Sequence, residues 1–234
     1  MINVRKHHPV LQNRLKQHFE AGDDTALLET LNKLSAADFR TAGYLLADNL
    51  LSAYPQHFWQ FFLTIVPTKP KAYLGTFLKA CITLYQRDAA LMNFDALQVF
   101  ADQYATPIDE KKCLEQLIPA LQTEEEVERL LRIFQPGTDK SRAILLLKAG
   151  TPISYYLLFK ILQTADENNE TLRDYCLYLM KKGDSISFNM AVILRSFFDL
   201  PSLPGTFSLK LEPYQLSRLN ESYENFHKLL VGDL

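Results

Sequence analysis

The chain has 234 residues, 47% of them hydrophobic and 22% charged, so it is long enough to bury a core without disulfide or metal staples and too apolar for the disordered or fibrous classes. Its formal net charge of -2 removes the broad electrostatic attraction on which nucleic-acid binding rests, so no nucleic-acid partner is expected. Three widely spaced cysteines, Cys81, Cys113 and Cys176, each among apolar neighbours, read as reduced core thiols.

The first residues, Met1 to His8, turn polar at once and contain no apolar core for a signal peptide, and a cytoplasmic location is expected. Runs such as Phe61-Phe62-Leu63 and Ile144-Leu145-Leu146-Leu147 fall far short of the ~20 apolar residues that cross a bilayer, so no membrane partner is expected. Pro9 opens a helix to Ala21 that stops at Gly22, and Asp23 and Asp24 cap a second helix through Leu34. Ser35 and Asp38 form a capping-box-like pair opening a helix to about Ala53. Pro55 starts another, which Pro67 ends because it lacks an N–H and restricts its predecessor. Lys69 to Arg87 and Asn93 to Tyr104 read as the next two helices.

From there the starts recur. Thr106, Thr123, Thr138 and Thr151 each stand where an N-cap belongs, and Asn169 and Asp184 continue the series. The starts lie about 15 residues apart, so a helix pair takes about 30, near the short end of helical-repeat periods. Leu147 to Ser154 echoes Met180 to Ser187, with Gly150 and Gly183 ending the preceding helices alike. Pro119 should kink or end the helix opened by Thr106, since proline inside a straight helix costs about 3 kcal/mol. Asp199 to Glu212 breaks the rhythm with Pro201, Pro204 and Gly205, and the alternation of Phe207, Leu209 and Leu211 suits an extended strap covering a groove. A final helix is expected from Pro213 to about Leu230, with Leu216, Leu219, Tyr223, Phe226 and Leu230 on one face.

The expected fold is all-α: about twelve short antiparallel helices in a helical-repeat, solenoid-like array, with an irregular multi-helix bundle as the alternative. It reads as one domain over residues 1–234, with a possible subdivision into N-terminal helices 1–104 and helical-hairpin repeats 105–234, the latter containing the strap 199–212 and the terminal helix 213–230.

Large rings crowd two helices. Tyr54 to Phe62 carries rings on more than one side, which describes a helix packed by neighbours all round or an aromatic-lined groove. Ile153 to Phe159 poses the same choice. The candidate interaction surface is therefore His57, Phe58, Trp59, Tyr155, Tyr156 and Phe207, by the preference of binding hot spots for large aromatic side chains. His57 has no carboxylate near it in sequence to orient it for acid–base work. Glu221, Glu224 and His227 have helical spacing, but Glu-x-x-His occurs there once where a di-iron bundle uses it twice, and they read as a solvated face. Arg5, Lys6, His7, His8, Arg14, Lys16 and His18 make a modestly basic start, and Glu124, Glu125 and Glu126 suit the favourable field at a helix N-terminus. Phosphate-loop, nucleophile-elbow, zinc-protease and EF-hand patterns are missing from the sequence, so no catalytic, metal or cofactor residue is assigned. The functional expectation is a non-enzymatic helical-repeat module or scaffold for a protein or peptide partner. The alternative is a small-ligand-binding regulatory domain or enzyme with its site near His57 and Trp59.

Overall fold

The computed structural model describes residues 8–35, 38, 59–60, 63, 74–104, 107–165, 167–201 and 209–232. Among these residues the chain is all-helical: twelve α-helices, two 3₁₀ turns and no strand. The helices expected over 35–53 and 55–66 lie outside the described residues except for Asp38, Trp59, Gln60 and Leu63, each of which is helical. No helix of the described residues is long and apolar enough to cross a membrane.

The chain divides into two compact units, Met1–Leu121 with Arg129–Gln135, and Gln122–Glu128 with Pro136–Leu234. In the first, α1 (His8–Ala21) ends at Gly22, whose φ of +64° only glycine adopts freely, and Asp23 caps α2 (Asp24–Asn32) by accepting from the Ala26 N–H at 2.9 Å. The two pack together through Leu15, Leu27 and Leu31, all buried. α3 (Leu74–Arg87) leads through a 3₁₀ turn, Ala89–Leu91, to α4 (Phe94–Tyr104) and α5 (Pro107–Leu117). Cys81 and Leu84 of α3 and Cys113, Leu114 and Leu117 of α5 are fully buried where those helices meet. α5 stops at Leu117 and tightens into a 3₁₀ turn, Ile118–Ala120, where Pro119 has no N–H for an α-helical bond.

α6 (Glu124–Phe134) lies across the division between the units. Thr123 and Glu126 close a reciprocal capping box at its start, Thr123 Oγ1 accepting at 3.3 Å and Glu126 Oε2 at 3.1 Å. The second unit holds two hairpins. α7 (Asp139–Ala149) turns back through Gly150 and Thr151 into α8 (Pro152–Thr164), and α9 (Asn169–Lys182) turns through Gly183 and Asp184 into α10 (Ser185–Phe197). Both turns have the same build: glycine at φ +70° or +75°, then a capping side chain that accepts from the N–H three residues on. Within each hairpin the helices pack closely.

Three readings of the sequence are corrected. The N-cap of α9 is Asn168, not Asn169, because it is the Asn168 side chain that accepts from Thr171 N, at 2.8 Å. The expected final helix is two helices, α11 (Pro213–Arg218) and α12 (Tyr223–Val231), since Ser222 leaves helical geometry to cap α12 through Asn225 N. The strap does not alternate as an extended segment should: Leu211 is buried and Leu209 is exposed, while Phe207 lies outside the described residues. At its described end, Leu209 and Leu211, the backbone is held by side chains of α10. Arg195 Nη1 donates to Leu209 O at 3.1 Å, Leu211 N donates to Ser196 Oγ at 2.9 Å, and Lys210 pairs with Asp199 at 2.7 Å.

α12 closes the second unit. It packs on both α8 and α10, burying Phe226 and Leu230, and Asn189 inside α10 donates to Leu230 O and Gly232 O at 2.8 Å each. This buried amide satisfies two carbonyls at the end of α12, while the Gly232 N–H closes the last turn on Lys228 O.

Candidate functional site

Of the candidate surface, His57, Phe58 and Phe207 lie outside the described residues. The other three, Trp59, Tyr155 and Tyr156, are buried, as the packed-helix alternative expects. Trp59 belongs to the first unit and is 4% exposed, with its indole N–H donating to Leu91 O at 3.1 Å. Tyr155 and Tyr156 belong to the second, in a stretch of α8 where every residue from Ile153 to Phe159 is buried. The Tyr156 ring lies 5.3 Å from Tyr223 and 5.2 Å from Phe226, with the Lys160 ammonium 5.4 Å from its face. Lys160 is itself ion-paired to Glu124, which raises the lysine pKa.

Two places bring polar groups together. The first is a cleft of about 390 Å³ beside Trp59, bordered by the 3₁₀ segment from Ala90 to Met92, the start of α4 and Arg129. Asn93 caps α4 by accepting from Ala96 N at 2.9 Å. Arg129 lies 4.9 Å over the Phe94 ring while its Nη2 donates to Asp95 Oδ1 at 2.7 Å. A guanidinium stacked on a ring and held by one carboxylate keeps donors for a second acceptor. The cleft thus presents one oriented cation beside Met92 and two largely buried rings, Trp59 and Phe94.

The second place is the junction of the two hairpins. Lys182 Nζ donates to Tyr155 Oη at 3.3 Å, and Tyr155 Oη and Ser187 Oγ are 2.8 Å apart. Ser187 then donates twice to Asp184, from Oγ and from its backbone N, each at 2.8 Å. Because Asp184 can only accept and Lys182 only donate, the chain has one direction, from ammonium to carboxylate. Burial pushes the Tyr155 phenol up to about 12, against the lowering effect of Ser187, so the hydroxyl keeps its proton at neutral pH. Burial also pushes the Asp184 carboxyl up, but the Ser187 hydrogen bonds and the Lys182 charge outweigh it and the net shift is down.

That shift has a sign. A carboxyl with a depressed folded pKa adds stability that is complete above the unfolded value of about 3.9 and is lost as pH falls through the folded value. Asp184→Asn is expected to lower stability at pH 6 and to flatten the acid limb of stability between pH 5 and pH 2, read by urea unfolding at each pH. An acid limb as steep as that of the natural chain would show that Asp184 is not held as described.

Neither place assembles a nucleophile, a base and an orienting group, and among the described residues no cluster of three His, Cys, Asp or Glu side chains is placed to hold a metal ion. Glu224 pairs with Lys228 at 2.8 Å and Glu221 accepts from Asn225 at 3.0 Å, while the His227 ring lies against Tyr223. The three cysteines are buried thiols outside any disulfide; burial raises the pKa of Cys81 and pushes Cys176 up to about 12, well away from a thiolate at neutral pH.

No family model, curated protein or solved structure matches this chain. The residues themselves must carry any functional reading. Sequence reasoning missed Arg129, Asp95, Lys182 and Ser187. The Arg129 and Asp95 partnership spans 34 residues and leaves no local pattern. The echo of Gly150 in Gly183 was the visible signal for the junction.

Proposed function

We propose that the chain is a non-enzymatic, cytoplasmic interaction module of the helical-repeat type that binds an extended segment of a partner protein in the cleft beside Trp59. The observation that carries this reading is the cleft itself, where a Trp59 floor meets an Arg129 guanidinium already oriented by Asp95 and Phe94. Arginine is among the residue types that dominate binding hot spots, and pre-oriented side chains lose little entropy on binding. The identically built turns at Gly150 and Gly183 support the repeat character of the second unit.

A photo-crosslinking amino acid placed at the exposed Ala90, on the cleft rim, tests the proposal in extracts of the source cell. One protein should form a dominant adduct, mapped to a short segment with an acidic residue, and Arg129→Glu should reduce that adduct at least about tenfold by setting like charges against each other. Since Arg129 is solvent-exposed, that change should move stability by no more than about 1 kcal/mol. Diffuse labelling, or an adduct insensitive to Arg129→Glu, would overturn the proposal.

The volume of the cleft favours a second reading, a small carboxylate ligand, because about 390 Å³ lies within the range of small-molecule sites. A ligand present at 100 times its dissociation constant would stabilise the chain by about 2.7 kcal/mol in a thermal-shift screen. A response of that size abolished by Arg129→Glu would favour this reading over a peptide.

A further inference from the structure

The Lys182 ammonium makes more contacts than its exposed position on α9 would suggest. Besides Tyr155 Oη it reaches Leu147 O and Lys148 O, at 3.5 Å each, carbonyls in the last turn of α7. It lies 5.6 Å from the Tyr155 ring and 5.8 Å from the Tyr178 ring. A cation at the negative end of a helix and over two ring faces is favoured by both fields. Each hydrogen bond is long, so the hold comes from several weak contacts acting together.

The approach depends on Gly150. A Cβ there would collide with Lys182 Nζ, whereas nothing lies within 4 Å of a Cβ built on Gly183, although the two glycines have nearly the same φ. Aligning the two echoing segments sets Lys182 opposite Ala149 and Tyr155 opposite Phe188. Neither counterpart can make the contact, so it is made once, between these two hairpins.

We propose that Lys182 is a latch between consecutive hairpins: its ammonium, seated over Gly150 on the last carbonyls of α7, makes the α7–α8 and α9–α10 hairpins open and close as one unit. The latch stands independently of what the chain binds. Its polar continuation through Tyr155, Ser187 and Asp184 ties the end of one hairpin to the capped start of the next helix, so that loosening either end loosens both.

The paired glycines supply the test, on the full chain. Gly150→Ala and Gly183→Ala impose the same left-handed strain on alanine, but only the first displaces the ammonium, the mobile end of a long side chain, from its seat. In the natural chain Gly150→Ala should lower the folding equilibrium constant by a further factor of about five to ten beyond Gly183→Ala, from urea unfolding. In a Lys182→Ala background that excess should vanish. Hydrogen exchange gives a second readout: the slow amides of the two hairpins should share one opening rate in the natural chain and separate in Lys182→Ala, and in Lys182→Gln, which keeps most of the stem but removes the charge. Equal effects of the two glycine substitutions, an excess that survives loss of the lysine, or hairpins that still exchange together without it would each overturn the latch.

Discussion

Phe226→Ala is expected to lower the stability of the second unit by about 3–5 kcal/mol, the range for truncating a fully buried phenylalanine. The ring has no exposed surface and lies 5.2 Å from Tyr156 and 5.5 Å from Phe159, so alanine leaves a cavity walled by two rings that α8 holds in place. The loss should spread. α12 has nine residues, too few to persist without its packing, and Phe226 and Leu230 are its two buried side chains. Once it leaves, Asn189 loses the carbonyls of Leu230 and Gly232, and a buried amide without acceptors adds its own penalty. Urea unfolding followed by circular dichroism measures the loss, and faster exchange of α12 amides than of α10 amides would report the order of events. A loss below about 1 kcal/mol would mean that α12 is not seated as described.

The second large effect is at Tyr155, where two substitutions separate ring from hydroxyl. Tyr155→Ala removes one of the largest fully buried side chains and is expected to cost about 3–5 kcal/mol. Tyr155→Phe keeps the packing but strips Ser187 and Lys182 of their common partner, and is expected to cost about 1–3 kcal/mol. The difference between the two assigns the share of the hydroxyl. If Tyr155→Phe were neutral, the polar chain would contribute nothing to the junction.

The helix starts were legible because a cap is a local device. Thr138, Thr151 and Asp184 each bond an N–H three residues on, and that spacing can be read without knowing what the helix packs against. Pro119 was legible for the same reason. Where two local devices compete, the sequence misleads. The Asn168-Asn169 pair offers two caps one residue apart, and the terminal stripe from Leu216 to Leu230 keeps helical spacing straight across the break at Ser222. Along the stripe, α11 buries no residue, while Leu219 just after it and Phe226 and Leu230 of α12 are fully buried.

The candidate site was less legible, since a ring's exposure depends on what its neighbours do. Tyr155 is buried because α9 and α10, later in the chain, bring Lys182 and Ser187 over it, and nothing within a helical turn of Tyr155 announces this. Trp59 is interior because its N–H finds a carbonyl 32 residues away at Leu91. Aromatic density in the sequence marked a helix of the second unit and left core and groove open, and the structure buries every residue from Ile153 to Phe159.

The contact between Tyr155 and Ser187 is where the hairpins meet, and nuclear magnetic resonance of the full chain observes it directly. The expected result is a slowly exchanging Tyr155 hydroxyl proton with nuclear Overhauser contacts to the Ser187 β-protons and the Lys182 ε-protons. A hydroxyl in fast exchange with water, with ring contacts confined to α7 and α8, would contradict the stacking of the two hairpins.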